Sequence, residues 1–200
     1  MNVRLVYGWA ANKRLVTTAK YKDGFMAHIE DDNYDFKGLI ECLRKVFAYI
    51  RDLREKSPIA AEIQNPRIPS RFSENLAMFL LQKGEIRLGR KLVRIRLDRK
   101  KADVVAVDDA GQEIKIEVKA TGKNNFQYFG KKDVQADYLV WLDFGDLFEN
   151  TMSTEIDIYI LQPKLHNLQP RKIDLRRLSR VVPSQSLVTH RVDLSKFGFC

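Results

Sequence analysis

The chain has only two cysteines, Cys42 inside an amphipathic stretch and Cys200 at its end. That is too few for a disulfide framework or a structural zinc site. Its three histidines, His28, His166 and His190, are scattered along the sequence and suggest no metal cluster. No run of apolar residues reaches the length of a membrane span, and the opening "MNVRLVYGWAANKR" interrupts its apolar residues with Arg4. P-loop, dinucleotide-binding and nucleophile-elbow signatures are absent, as are internal repeats and biased tracts. With 200 residues, one core with elaborations is expected rather than two full domains. These absences together predict a folding chain in a reducing cytoplasm.

Acidic residues are also in short supply. Thirty-five Lys and Arg face 26 Asp and Glu, giving a net charge of +9, with 44% hydrophobic and 30% charged residues overall. Cations gathered on one surface release counterions when they meet phosphates, so the balance favours a polyanionic partner over an ordinary basic surface. The most basic stretch runs from Lys83 to Lys101, where seven further Lys and Arg, including Arg94 and Arg96, meet only Glu85 and Asp98. A phosphate-facing surface and a solvated strand face both account for it.

The N-terminal part reads as a hairpin, "RLVTTAKY" and "FMAHI" about a "KDG" turn. From Asp35 to Lys56, Phe36, Leu39, Leu43, Val46, Ile50 and Leu53 recur at steps of three and four, with Ile40 and Phe47 widening the stripe. This predicts an amphipathic helix that packs on the core or at a subunit interface, stopped by Ser57-Pro58. "SPIAAEIQNPRIPS" is an irregular connection. "SRFSENLAMFLLQKG" is a second helix, with Ser70 or Ser73 as cap and Gly84 as stop. It carries Phe72, Leu76, Phe79 and Leu80 on one side, with Ala77, Met78 and Leu81 grouped around Glu74 on the other. Helix-dipole stabilisation alone would account for a glutamate there. "KLVRIRLD", "ADYLVWLDF" and "EIDIYILQP" read as strands, the first with Val93, Ile95 and Leu97 inward; "RKIDLRRLSRVV" reads as a basic helix.

The chemistry concentrates in "KADVVAVDDAGQEIKIEVKAT", residues 101–121. "DDAG" between two alternating runs signals a hairpin turn. Pairing the apolar faces selects a register near 103 to 117, 105 to 115 and 107 to 113. Asp103 then faces Glu117, and Lys119 stands on the same side of the sheet. Opposed carboxylates repel, so a cation must answer them. Lys119 could do so alone, as a surface salt-bridge cluster. Alternatively, Asp and Glu oxygens suit Mg2+, which fills its remaining positions with water and phosphate oxygens. In that case the metal would activate water against a phosphodiester, Lys119 would orient that water and offset developing charge, and Glu74 could serve a second metal or a metal-bound water.

These residues resemble the PD-(D/E)xK nuclease superfamily: Glu74 on a helix, Asp103 at the start of a strand, and Glu117-Val118-Lys119 late in the next. Ala102 stands where proline often precedes the first acid. The resemblance spans roughly 70–144 and implies an α/β, restriction-endonuclease-like core with a central mixed β-sheet flanked by helices, and magnesium-dependent DNA cleavage. It implies Asp103, Glu117 and the Val118 carbonyl as metal ligands, Lys119 as catalytic lysine and Glu74 as auxiliary acid. Residues 70–165 would form this core, 1–69 an N-terminal elaboration for recognition or dimerisation, and 166–200 a basic C-terminal extension on the same domain. Grafted additions of this kind fit a homodimeric type II restriction endonuclease cutting double-stranded DNA. Its DNA contacts would include Lys123, Asn124, Asn125, Gln127, Arg94 and Arg96. A Holliday-junction resolvase or repair nuclease, and a non-catalytic DNA-binding module, are the alternatives.

Overall fold

The computed structural model describes residues 34–98, 100, 102–122 and 126–200. The hairpin expected over 14–29 lies outside the described residues. The fold is mixed α/β: a six-stranded sheet, mostly antiparallel, flanked by helices. No helix among the described residues is long and apolar enough to cross a membrane.

Helix α1 (Phe36–Lys56) starts where Asp35 Oδ1 accepts the Gly38 N–H at 2.8 Å. It turns Phe36, Ile40 and Phe47 into the core, with Leu39 and Leu43 partly buried beside them. Helix α2 (Ser70–Gln82) follows the irregular connection. Neither expected serine caps it. Pro69 takes that position, its carbonyl accepting from Phe72 and Ser73, while Ser73 Oγ bonds back to the Ser70 carbonyl. The fixed proline φ delivers the chain into the first turn without a side-chain acceptor. Gly84, with φ +74°, closes the other end as expected.

The α2 faces differ from the sequence pattern. Ala77 and Leu81, expected on the Glu74 side, are buried with Phe72, Leu76 and Leu80, whereas Phe79 is only partly covered. Packing against both the sheet and α1 gives the helix a wider apolar stripe than one contact would need.

Strands β1 (Leu92–Asp98), β2 (Ala102–Asp108) and β3 (Glu113–Thr121) form an antiparallel meander. A bulge between Leu92 and Arg94 shifts the alternation in β1, so Leu92, Ile95 and Leu97 pack on the core and Val93 does not. The β2–β3 turn is held by Asp108 Oδ1, which accepts from Ala110 and Gln112, and by Gly111 at φ +79°. After a short strand β4 (Phe126–Phe129) and helix α3 (Lys131–Gln135), strand β5 (Tyr138–Asp143) pairs parallel with β3. Strands β6 (Glu155–Leu161) and β8 (Val188–Asp193) complete the sheet in the order β1-β2-β3-β5-β6-β8.

Residues 171–174 of the expected basic helix instead form strand β7, paired with β4 in a two-stranded ribbon; helix α4 covers Leu175–Val181. Asp174 caps α4 by accepting from Arg177 N–H at 2.6 Å. Burial of Ile173 beneath the ribbon favours the strand there.

Two cores result, one on each sheet face. Beneath α1 and α2 lie Val104, Ala106, Ile114, Ile116 and Val118 with Phe72 and Leu76. On the opposite face, Leu139, Trp141 and Leu161 pack with Phe129, Ile173, Leu178 and Val182 of the ribbon and α4. This second layer covers the β5–β6 part of that face and ends beside β3.

Candidate active site

The hairpin places the two acids. The pairs Val104–Ile116, Val105–Lys115, Ala106–Ile114 and Val107–Glu113 have the register that alternation required. Continued by one rung, this register brings Asp103 opposite Glu117, on the face away from Val104, Ile116 and Val118 of the first core. There Asp103 Oδ2 accepts the Val118 N–H at 2.9 Å, so a side chain takes over where the strand ladder stops. Its other oxygen is 3.2 Å from Lys132 Nζ, and the same nitrogen is 3.0 Å from Glu117 Oε1. One ammonium group bridges both carboxylates.

Glu117 is 3% exposed. Burial, then the Asp103 charge, push its carboxyl up to about 7, against partial relief from Lys132. For Lys132, burial acts downward, but the hydrogen bond to Glu117 and the Asp103 charge outweigh it and hold the amine above its ordinary value. The pair of acids is thus short of positive charge even with one lysine between them.

Lys119, expected beside both acids, reaches instead to Asp133, with Nζ 2.7 Å from Oδ1. Asp133 is itself buried and accepts the Gly130 N–H at 2.6 Å, which fixes its carboxylate. Three buried or half-buried carboxylates therefore share two lysines: Lys119 pairs with Asp133 alone, and Lys132 bridges Asp103 and Glu117. Lys132 and Asp133 are the residues that sequence reasoning missed. Their local signal is "GKKDVQ", an acid three residues beyond a helix-start glycine. That signal places both side chains on a first turn, but not over β3.

These groups line a cleft of about 740 Å³ together with Ser73 and Glu74 of α2, the 64–68 connection, and Phe126, Gln127, Tyr128 and Lys172 of the ribbon. Glu74 is half-buried there. Val118 lines the cleft while its side chain belongs to the first core. The Gln127 amide lies in the cleft and donates to the Ala120 carbonyl at 2.6 Å. Arg94 and Arg96 share the sheet face of Asp103 but stand on edge strand β1, outside the cleft lining. Arg96 is held by Asp98 at 2.5 Å and Glu113 at 3.7 Å. Lys123, Asn124 and Asn125 lie outside the described residues.

The donor set fits Mg2+. Asp103 Oδ1 and Glu117 Oε1 already converge on one cationic nitrogen, and the raised Glu117 carboxyl is one that a divalent ion would bring down. Among the described residues, no group of three or more His, Cys, Asp and Glu is assembled for a metal. Two carboxylates suffice for Mg2+, which completes its shell with water and substrate oxygens. A closed structural site is not what these residues would make.

Comparison with protein-family models, with curated proteins and with solved structures finds no match.

Proposed function

We propose that the chain is a Mg2+-dependent endonuclease of the PD-(D/E)xK kind that hydrolyses phosphodiester bonds of double-stranded DNA, in the form of a homodimeric type II site-specific deoxyribonuclease. The observation that carries the reading is the convergence of Asp103 and Glu117 on one cation in an open cleft. The element order adds support: an acid-bearing helix, an acid-bearing hairpin, then a short helix and a parallel strand beside β3. That order suits a restriction-endonuclease-like core.

Asp103 and Glu117 would hold the metal, which when bound supplies Lewis-acid polarisation of the scissile phosphate and a more acidic water. Asp103 is oriented for this by the Val118 N–H. Lys132, about half exposed, would give up the two carboxylates and turn toward solvent or a phosphate oxygen. Lys119 would hold the attacking water and offset charge on the phosphoryl oxygens, and Asp133 would position Lys119. Glu74, across the cleft, would anchor a further water.

The test incubates the purified protein and Mg2+ with supercoiled plasmid and with a four-way junction. Discrete fragments from the plasmid support the restriction form. Asp103→Asn and Glu117→Gln should each reduce cleavage about a thousandfold, an effect of the size seen when a transition-state-stabilising group is removed. Cleavage unaffected by Asp103→Ala would overturn the active-site assignment, and no cleavage of any nucleic acid would leave a DNA-binding module. A structure-selective repair or junction nuclease is the second reading, and a specific observation favours it. Phe126 and Tyr128 are 46% and 64% exposed beside the acids, an aromatic surface of little use to a fully stacked duplex.

A further inference from the structure

We propose that the outer face of the β4–β7 ribbon is a base-stacking subsite, which receives an unpaired nucleobase beside the phosphate bound at Asp103 and Glu117. The position of that phosphate rests on the nuclease reading above, taken in its structure-selective form; the stacking surface rests on the ribbon.

The ribbon has a clear inside and outside. Phe126 pairs with Asp174 and Tyr128 with Lys172, while Gln127 pairs with Ile173 and Phe129 with Arg171. Directly opposed residues share a face. The inward set is anchored: Phe129 and Ile173 are buried in the second core, Phe129 meets Trp141 edge-on at 5.8 Å, and Gln127 donates to the Ala120 carbonyl. Phe126, Tyr128, Lys172 and Asp174 are left on the outward face; the Asp174 carboxylate is taken up by the first turn of α4, and the other three line the same cleft as the carboxylates.

Single exposed aromatic residues are ordinary on protein surfaces. Here two rings stand two residues apart on one face of the ribbon, and Lys172 Nζ lies 4.7 Å from the centroid of the Phe126 ring. Rings interleaved with cations are the recurrent means of holding unpaired nucleotides, because a base stacks on the ring while a cation meets its phosphate. Arg67, exposed on the 64–68 connection, supplies a further cation to the cleft. A partner of acidic protein character would use the cations but not the paired rings, so the aromatic spacing selects a nucleic acid. Within a duplex the bases are stacked on one another, and only a terminal pair offers a ring face to Phe126 or Tyr128. The subsite therefore selects DNA with a base out of the helix: a flap, a junction, a bubble or a single strand.

The probe is a short single-stranded DNA oligonucleotide containing 2-aminopurine, titrated in EDTA so that cleavage does not enter, beside a blunt duplex of the same sequence. The native protein should bind the single strand and quench 2-aminopurine fluorescence. Phe126→Ala/Tyr128→Ala should weaken that binding about 10- to 100-fold, as the loss of one or two stacked bases requires, and abolish the quench. Blunt-duplex affinity should change less than about threefold, since phosphate contacts remain. Phe126→Tyr/Tyr128→Phe keeps two rings and should restore binding. Both positions are exposed, so unchanged thermal midpoints will show that the variants fold.

Equal losses on single strand and duplex, no loss on either, or failure of the aromatic pair to restore binding would overturn the subsite. Asp103→Asn separates the two readings. A broken nuclease assignment appears as cleavage that persists in Mg2+, whereas a broken stacking assignment appears only in the metal-free titration.

Discussion

In the proposed site, Glu117 would set folding stability against the binding of a metal. Its carboxyl ionises at about 7 in the folded chain, against an ordinary value of 4.5, so the folded state holds the proton more tightly than the unfolded state. The resulting stabilisation is complete below pH of about 4.5 and is lost as pH rises through about 7. Glu117→Gln should leave the thermal midpoint nearly unchanged at the acidic end of this window. At pH 8 it should raise the midpoint by about 5 °C, because the variant never ionises. Added Mg2+ should stabilise the native protein most above neutrality and the variant not at all. A Glu117→Gln protein no more stable than the native one at pH 8 would count against the charge-poor site. Lys132 occupies the oxygens that the proposed Mg2+ would take, so Lys132→Met should enlarge the Mg2+-induced rise in midpoint. Asp133 acts at one remove. Asp133→Asn should slow cleavage by about 10- to 100-fold through a misplaced Lys119, with the Mg2+-induced rise in midpoint preserved and partial rescue by Asp133→Glu.

At the scale of elements, the hairpin was legible because two short-range signals agree. Alternation chose the faces, and "DDAG" located the turn; together they fixed the register that brings Asp103 opposite Glu117. Gly111 supplies the left-handed turn conformation, and a Cβ there would meet nothing within 4 Å. Gly111→Ala should therefore cost about 1–2 kcal/mol through backbone strain alone, measured by denaturant unfolding, and leave cleavage intact at permissive temperature. Other elements escaped local reading. Val93 fits an ideal alternation, but the bulge in β1 moves Leu92 inward in its place. "RKID" has a basic, helix-like composition and becomes a strand because β4 offers it a ladder and the second core offers Ile173 a pocket.

For the whole molecule, the C-terminal residues close both the sheet and the helical layer. Strand β8 pairs with β6, and beyond it Phe197 and Phe199 fold back on Phe79, with Phe199 also 4.7 Å from Phe36. Phe199→Ala should lower the unfolding free energy by about 1–3 kcal/mol, although the residue lies one position from the end. The net charge of +9 acts at the same scale. DNA affinity, measured in EDTA, should fall on the order of a hundredfold between low and near-physiological salt, as release of counterions from several phosphates requires. A salt-independent affinity would remove phosphate contacts from the account.

The sequence by itself determined the hairpin, its register and the meeting of two acids, because strand alternation and turn chemistry act over a few residues. It also determined α1, most of the strands and the excess of positive charge. Only the tertiary structure decided which cation answers those acids. The parallel connection from β3 to β5 must cross a face of the sheet, and it carries α3 over the one that holds Glu117. Lys132 then bridges the two carboxylates, and Asp133 draws Lys119 aside. Such pairings join residues far apart along the chain, and their partners are fixed by where a crossover lands, which no local periodicity encodes.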